Sequence, residues 1–135
     1  MPRFSGVIPP VVSPMLAPDQ LDSAAVAGIV EHLIAGGVSG LFVLGTTGEG
    51  PSLTYQMRYE MVELACKAAN RRVPVFVGVT DTSLAESIAL SDHAAHCQAA
   101  AIVAAAPYYF EVPQKQLETW FSDLATASAL PSLME

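Results

Sequence analysis

Apolar and polar positions follow two alternating rhythms along the chain. Residues 38–44, 73–79 and 100–106 are short, nearly continuous apolar runs, β-branched at Val73, Val75, Val77 and Val79 and at Ile102-Val103. Runs of this length read as strands buried on both faces, as parallel strands are. Between them the apolar residues recur at helical spacing. Val26, Ile29, Val30, Leu33 and Ile34 fall on one face, capped by Asp22 or Ser23 and ended by Gly36-Gly37. Met57, Met61, Leu64, Ala65 and Ala68 form a second stripe behind a Thr54 cap, predicting a helix to about Asn70. Ser83-Leu84-Ala85-Glu86 is a capping box opening a third helix to about Cys97. Leu117, Trp120, Phe121, Leu124 and Ala125 mark a fourth. Val7-Ile8 and Val11-Val12 predict a first strand broken by prolines, and residues 130–134 begin a fifth.

Strand starts therefore recur about every thirty residues, the length of a βα unit. Such alternation implies a parallel sheet with right-handed crossovers. Two α/β architectures fit. One is a doubly wound sheet of flavodoxin type; the other is the first half of an eight-unit barrel. The 135 residues suit a single domain, and the apolar run at the end, 130–134, suggests a chain cut inside a strand.

Composition narrows the partners. The chain is 52% hydrophobic, so it can bury a core, and its net charge of −7 speaks against nucleic acid or an anionic membrane surface. The start has no adequate signal core and no apolar stretch is long enough for a membrane helix, so a cytoplasmic protein is expected. Cys66 and Cys97 read as free buried thiols in a reducing compartment.

Candidate chemistry gathers at strand ends. Gly45-Thr46-Thr47-Gly48-Glu49-Gly50 links a predicted strand to a predicted helix, where α/β proteins place ligands. No Lys-Ser/Thr follows the last glycine and the dinucleotide spacing is absent, so a phosphate loop is excluded. The paired threonines suit a small anion such as a carboxylate, and a plain tight turn accounts for the glycines equally well. Tyr108-Tyr109 follows the fourth strand and reads either as a proton relay or as an aromatic packing pair. His93 and His96, three apart beside Asp92, have a metal-ligating spacing but no third convergent ligand, so no metal is expected. His32, beside Glu31, reads as a surface residue. Asp81 either faces a ligand or shapes the turn before the capping box.

Taken together, these residues resemble the dihydrodipicolinate synthase/N-acetylneuraminate lyase family of pyruvate-dependent class I aldolases. The resemblance runs along the whole chain. It rests on Gly6-Val7-Ile8-Pro9 with Pro14, on residues 31–38 followed by Gly40, on the glycine-threonine run, on Ala85-Glu86-Ser87 and on Pro107-Tyr108-Tyr109. It implies a (β/α)8 TIM barrel and Schiff-base chemistry on pyruvate and an aldehyde, without a cofactor, in a homo-oligomeric lyase or synthase. By the same resemblance Thr47 and Gly48 would bind the substrate carboxylate. Thr46 and Tyr109 would be catalytic, in a hydroxyl relay that Tyr109 enters from a neighbouring subunit.

The resemblance also places the Schiff-base lysine beyond Glu135. Lys67 and Lys115 fall on predicted outer helices, where an amine stays solvated and protonated. The 135 residues alone are therefore expected to be inactive, and to expose open sheet edges that need a covering partner. Tyr55, Arg58 and Thr82 stand where lysine-inhibited members carry inhibitor ligands, so lysine feedback is not expected. Sequence features divide between the synthases and the sialic-acid lyases, and the aldehyde stays open. The competing reading is a non-catalytic α/β module that binds a small carboxylate or serves in assembly.

Overall fold

The computed structural model describes residues 4–135. Met1, Pro2 and Arg3, at the head of the start read as leaderless, lie outside the described residues. After an extended segment, the elements run β1 (Met15–Ala17), β2 (Gln20–Leu21), α1 (Ser23–Ala35), β3 (Leu41–Val43), α2 (Tyr55–Ala69), β4 (Val75–Gly78), α3 (Leu84–His96), β5 (Ala101–Ala104), α4 (Gln114–Ala127) and β6 (Ser132–Met134). No helix of the described residues is long and apolar enough to cross a membrane.

The sheet order β3-β4-β5-β6 follows chain order, and every pairing is parallel. Phe42 stands beside Phe76, Val77 beside Ile102 and Val103 beside Leu133. Successive helices pack on one another, α1 on α2, α2 on α3 and α3 on α4. A doubly wound sheet would reverse its strand order and carry helices on both faces. This sheet does neither. It is singly wound, the wall of a (β/α) barrel, with four βα units and a fifth strand.

The predicted first strand is present in position but not as a regular ladder. Pro10 bridges Phe42 in parallel, while the Phe42 N–H donates to the Pro9 carbonyl at 3.0 Å and the Val11 N–H to the Phe42 carbonyl at 2.7 Å. Pro9 and Pro10 have no N–H, so this edge can pair only intermittently. The hairpin of β1 and β2 was not foreseen. Pro18-Asp19 between the two strands is its turn signal.

The predicted caps form. Asp22 accepts from the Ala25 N–H at 3.0 Å and Thr54 from the Met57 N–H at 3.2 Å. Ser83 accepts from the Glu86 N–H at 3.4 Å, but the return bond of a capping box is replaced: the Ser83 N–H donates to Asp81 at 2.8 Å. Leu41, Val43, Val75, Val77 and Ile102 point from the sheet to the helices and join Val26, Val30, Met57, Met61 and Leu90 in the core. Residues alternate along a strand, so Phe42, Phe76 and Val103 face the opposite, concave side. There Phe4 packs edge-on against Phe76, with ring centroids 4.7 Å apart. On α4 only Leu124 is fully buried; Leu117, Trp120 and Phe121 are half-buried and Ala125 is exposed.

Candidate functional site

The carboxyl end of β3 turns sharply. Leu44 takes a left-handed backbone, φ 61°, a conformation that a leucine adopts only when its surroundings enforce it. Its carbonyl is wedged between two glycines. A Cβ at Gly50 would lie 2.2 Å from that oxygen, and one at Gly78 would lie 2.4 Å from it. The turn then closes on itself: the Glu49 N–H donates to Thr46 at 3.0 Å, Gly50 to Gly45 at 3.2 Å and Leu53 to Gly50 at 3.3 Å. The buried Ser13 hydroxyl donates to the Gly48 carbonyl at 2.7 Å, strapping the turn to the first segment.

Those bonds consume the carbonyls and leave amides free. Among the described residues, the N–H groups of Thr46, Thr47 and Gly48 meet no protein acceptor. Both threonine side chains are exposed. Successive unpaired amides beside adjacent hydroxyls in one turn are donors of the kind an anion requires.

A cleft of about 410 Å³ opens beside this turn at the carboxyl ends of the strands. Thr46, Thr80, Tyr108 and Glu135 bring polar groups to it, over a floor that includes Phe42, Gly78 and Val103. The Thr80 hydroxyl accepts from the Ala105 N–H at 2.8 Å and ties the end of β4 to that of β5. Thr46 thus lines the cleft, whereas Thr47 and Gly48 follow it in the turn. Of the aromatic pair, Tyr108 lines the cleft. Tyr109, with φ 83°, is 86% exposed and stacks edge-on against Phe110, 4.6 Å away.

Sequence reasoning missed the network beneath the turn. Arg58, in the first turns of α2, is buried and donates from Nε to the Leu53 carbonyl at 3.3 Å and from Nη2 to the Pro51 carbonyl at 3.2 Å. Its Nη1 pairs with Asp81 at 2.8 Å, and the Tyr55 ring lies 4.9 Å from the guanidinium carbon. Asp81 is itself buried and accepts from the Ser83 N–H, and from the Tyr55 hydroxyl at 3.4 Å. Of its two sequence readings, turn formation is what the contacts display. Burial alone would raise the Asp81 carboxyl, but the Ser83 N–H, Arg58 and Tyr55 outweigh it and hold the group below its ordinary value. Arg58 and Asp81 lie 23 positions apart, so no local spacing links them.

The remaining candidates lie elsewhere. His93 Nε2 sits 3.2 Å from the Tyr59 carbonyl and 3.3 Å from Glu63, while His96 Nδ1 sits 2.7 Å from the Asp92 carbonyl. The two imidazoles thus engage separate partners. Cys66 and Cys97 are free and half-buried, and both line a cleft of about 690 Å³ at the opposite, amino end of the strands. Burial, with a contribution from Cys97, pushes the Cys66 thiol up to about 12, where it is a poor nucleophile. Lys67 and Lys115 are exposed on α2 and α4, and neither lines the cleft beside Thr46.

Comparison with known proteins agrees along the whole chain. The model of the dihydrodipicolinate synthetase family matches residues 3–134. A 4-hydroxy-tetrahydrodipicolinate synthase of Chelativorans sp. (strain BNC1) is 39% identical over 128 residues, covering 95% of this chain and 44% of the relative. The structure of dihydrodipicolinate synthase from Bacteroides thetaiotaomicron superposes with a TM-score of 0.92 at 46% identity, over 97% of this chain and 44% of that one. YagE of E. coli K12, a prophage protein of the same family crystallised with pyruvate, superposes with a TM-score of 0.93 at 38% identity, over 97% and 44%. The chain thus spans less than half the length of the relatives it matches.

Proposed function

From the premise that this chain belongs to the dihydrodipicolinate synthetase family, we propose that it carries the keto-acid-binding half of a pyruvate-dependent aldolase or lyase. The observation that carries the reading is the run of unpartnered amides at Thr46, Thr47 and Gly48, set beside a hydroxyl-lined cleft at the ligand end of the sheet. The pyruvate held by YagE supports the same ligand class.

In this reading the Thr47 hydroxyl and the Thr47 and Gly48 N–H groups hold the carboxylate. The anion needs donors rather than a cation, because a fixed array of dipoles neutralises charge without reorganising as the reaction proceeds. A lysine amine adds to the ketone carbon and the carbinolamine loses its oxygen as water. The resulting iminium takes up the electron pair when a carbon–carbon bond breaks, or loses a proton from the adjacent carbon to give the enamine that donates the pair to an aldehyde when one forms. The departing oxygen needs a proton. Thr46, on the cleft wall, passes it along a hydroxyl chain that Tyr109 completes in a neighbouring copy; its exposure leaves it free to reach one. A homo-oligomer in the cytoplasm is part of the same proposal. The lysine is not one of the two in these residues, since both are exposed on outer helices. Residues 1–135 taken alone therefore fit carboxylate binding without the chemistry.

Titration of the isotopically labelled chain with pyruvate tests the reading. The amide resonances of Thr46, Thr47 and Gly48 are expected to shift and saturate. Thr47→Val removes one hydrogen bond to a charged group, about 1.5–3 kcal/mol, and so weakens binding at least about tenfold. Unmoved amides, or an unchanged affinity in the variant, would exclude the clamp.

A further inference from the structure

The turn that presents Thr46 and Thr47 has two ends, and they are held by different means. At its start the Leu44 carbonyl is locked between Gly50 and Gly78. At its finish no strand or helix supplies partners for the carbonyls of Pro51 and Leu53. Both are taken by one buried guanidinium, that of Arg58. Its third direction is spent on Asp81, which accepts at once from the N–H that opens α3. The loop after β3 and the loop after β4 are therefore pinned to a single planar fork.

We propose that Arg58, braced by Asp81, is a positioning residue that sets the backbone of residues 45–53 and so the aim of the Thr46, Thr47 and Gly48 amides. A buried guanidinium is costly unless each of its faces is bonded, and the turn cannot shift without stranding it. The fork geometry matters as much as the charge. Lysine in its place would keep a point charge near Asp81 but could not span both loop carbonyls. Tyr55 lies over the guanidinium and closes it from solvent on that side. Its hydrogen bonds go to loop carbonyls and to Asp81, and Arg58 is not among the residues lining the cleft, so it acts through the turn rather than on a ligand. What the turn binds rests on the function proposed above; that Arg58 positions it does not.

Amide exchange in the full 135-residue chain separates the two. Arg58→Lys is expected to speed exchange at the Glu49, Gly50 and Leu53 amides by at least about tenfold, with β4 and β5 unchanged, because a connecting turn can open locally while the strands stay paired. Where pyruvate binds, its affinity falls in step. Should the variant fail to fold, the unsubstituted chain still gives a reading. Its Arg58 Nε–H, bonded to Leu53, is expected to exchange as slowly as the turn amides. Exchange in Arg58→Lys that is unaltered in the turn, or raised equally throughout, would overturn the positioning role, as would a freely exchanging Nε–H. If pyruvate moves no amide while Arg58→Lys loosens the turn, the ligand reading falls and the positioning role stands.

Discussion

Leu44 shows how much a single backbone conformation can cost and what holds it. A leucine at φ 61° is disfavoured on its own. It persists because the Leu44 carbonyl fills the space left by the missing side chains of Gly50 and Gly78. Gly50→Ala would drive a methyl to 2.2 Å from that oxygen, against backbone that cannot swing aside. We expect destabilisation at or above the upper end of the ordinary overpacking range of about 1–3 kcal/mol, read by urea unfolding. Gly28 is the control. It lies in α1 with nothing within 4 Å of the place a Cβ would take, so Gly28→Ala should stabilise by about 0.5–1 kcal/mol through helix propensity alone. The glycine-threonine run was legible as a tight strand-to-helix turn from its residue types. The reason for each glycine was not, because Gly78 comes from the next strand.

Among elements, α2 and α3 are joined to the sheet by more than their apolar stripes. Asp81 ends the β4 connection, opens α3 through Ser83 and pairs with α2 through Arg58. Its carboxyl is held low in the folded chain, so it binds a proton less readily there than when unfolded. Stability from this group is fully present above the unfolded value of about 3.9 and is lost as pH falls through the lower folded value. Urea midpoints measured from neutral pH down to about pH 3 should therefore drop more steeply for the unsubstituted chain than for Asp81→Asn. At neutral pH the variant should be the weaker of the two, since removing one partner leaves Arg58 charged, buried and uncompensated. Parallel acid limbs would exclude Asp81 as their source. Helix starts were readable because a cap is a local event: Asp22, Thr54 and Ser83 each bond an amide three positions on. The first strand was harder, because prolines remove the ladder that defines it, and the β1–β2 hairpin rests on strands of three and two residues with little periodicity to read.

At the scale of the whole molecule, the singly wound wall places both lysines on the outer layer and the glycine-threonine turn at the opposite end of the sheet from the cysteine-lined cleft. Incubating the 135-residue chain with pyruvate and borohydride should give no stoichiometric adduct by intact mass, because neither lysine lines the cleft beside Thr46. A single labelled lysine would overturn that expectation. The β6 edge is left unpaired among the described residues, with Met134 74% exposed. The features written in short range were legible in the sequence: the alternation of barrel strands and helices, the caps of α1, α2 and α3, and the unbroken burial of β4. These depend on spacings of two to four residues, which periodicity reports directly. Periodicity left singly and doubly wound sheets open, and the family resemblance implied the barrel wall that the structure shows; why Leu44 is strained and that Arg58 meets Asp81 came only from tertiary contacts. Each depends on which distant segments share a space, and that is set by how successive βα units pack, not by the spacing within any one of them.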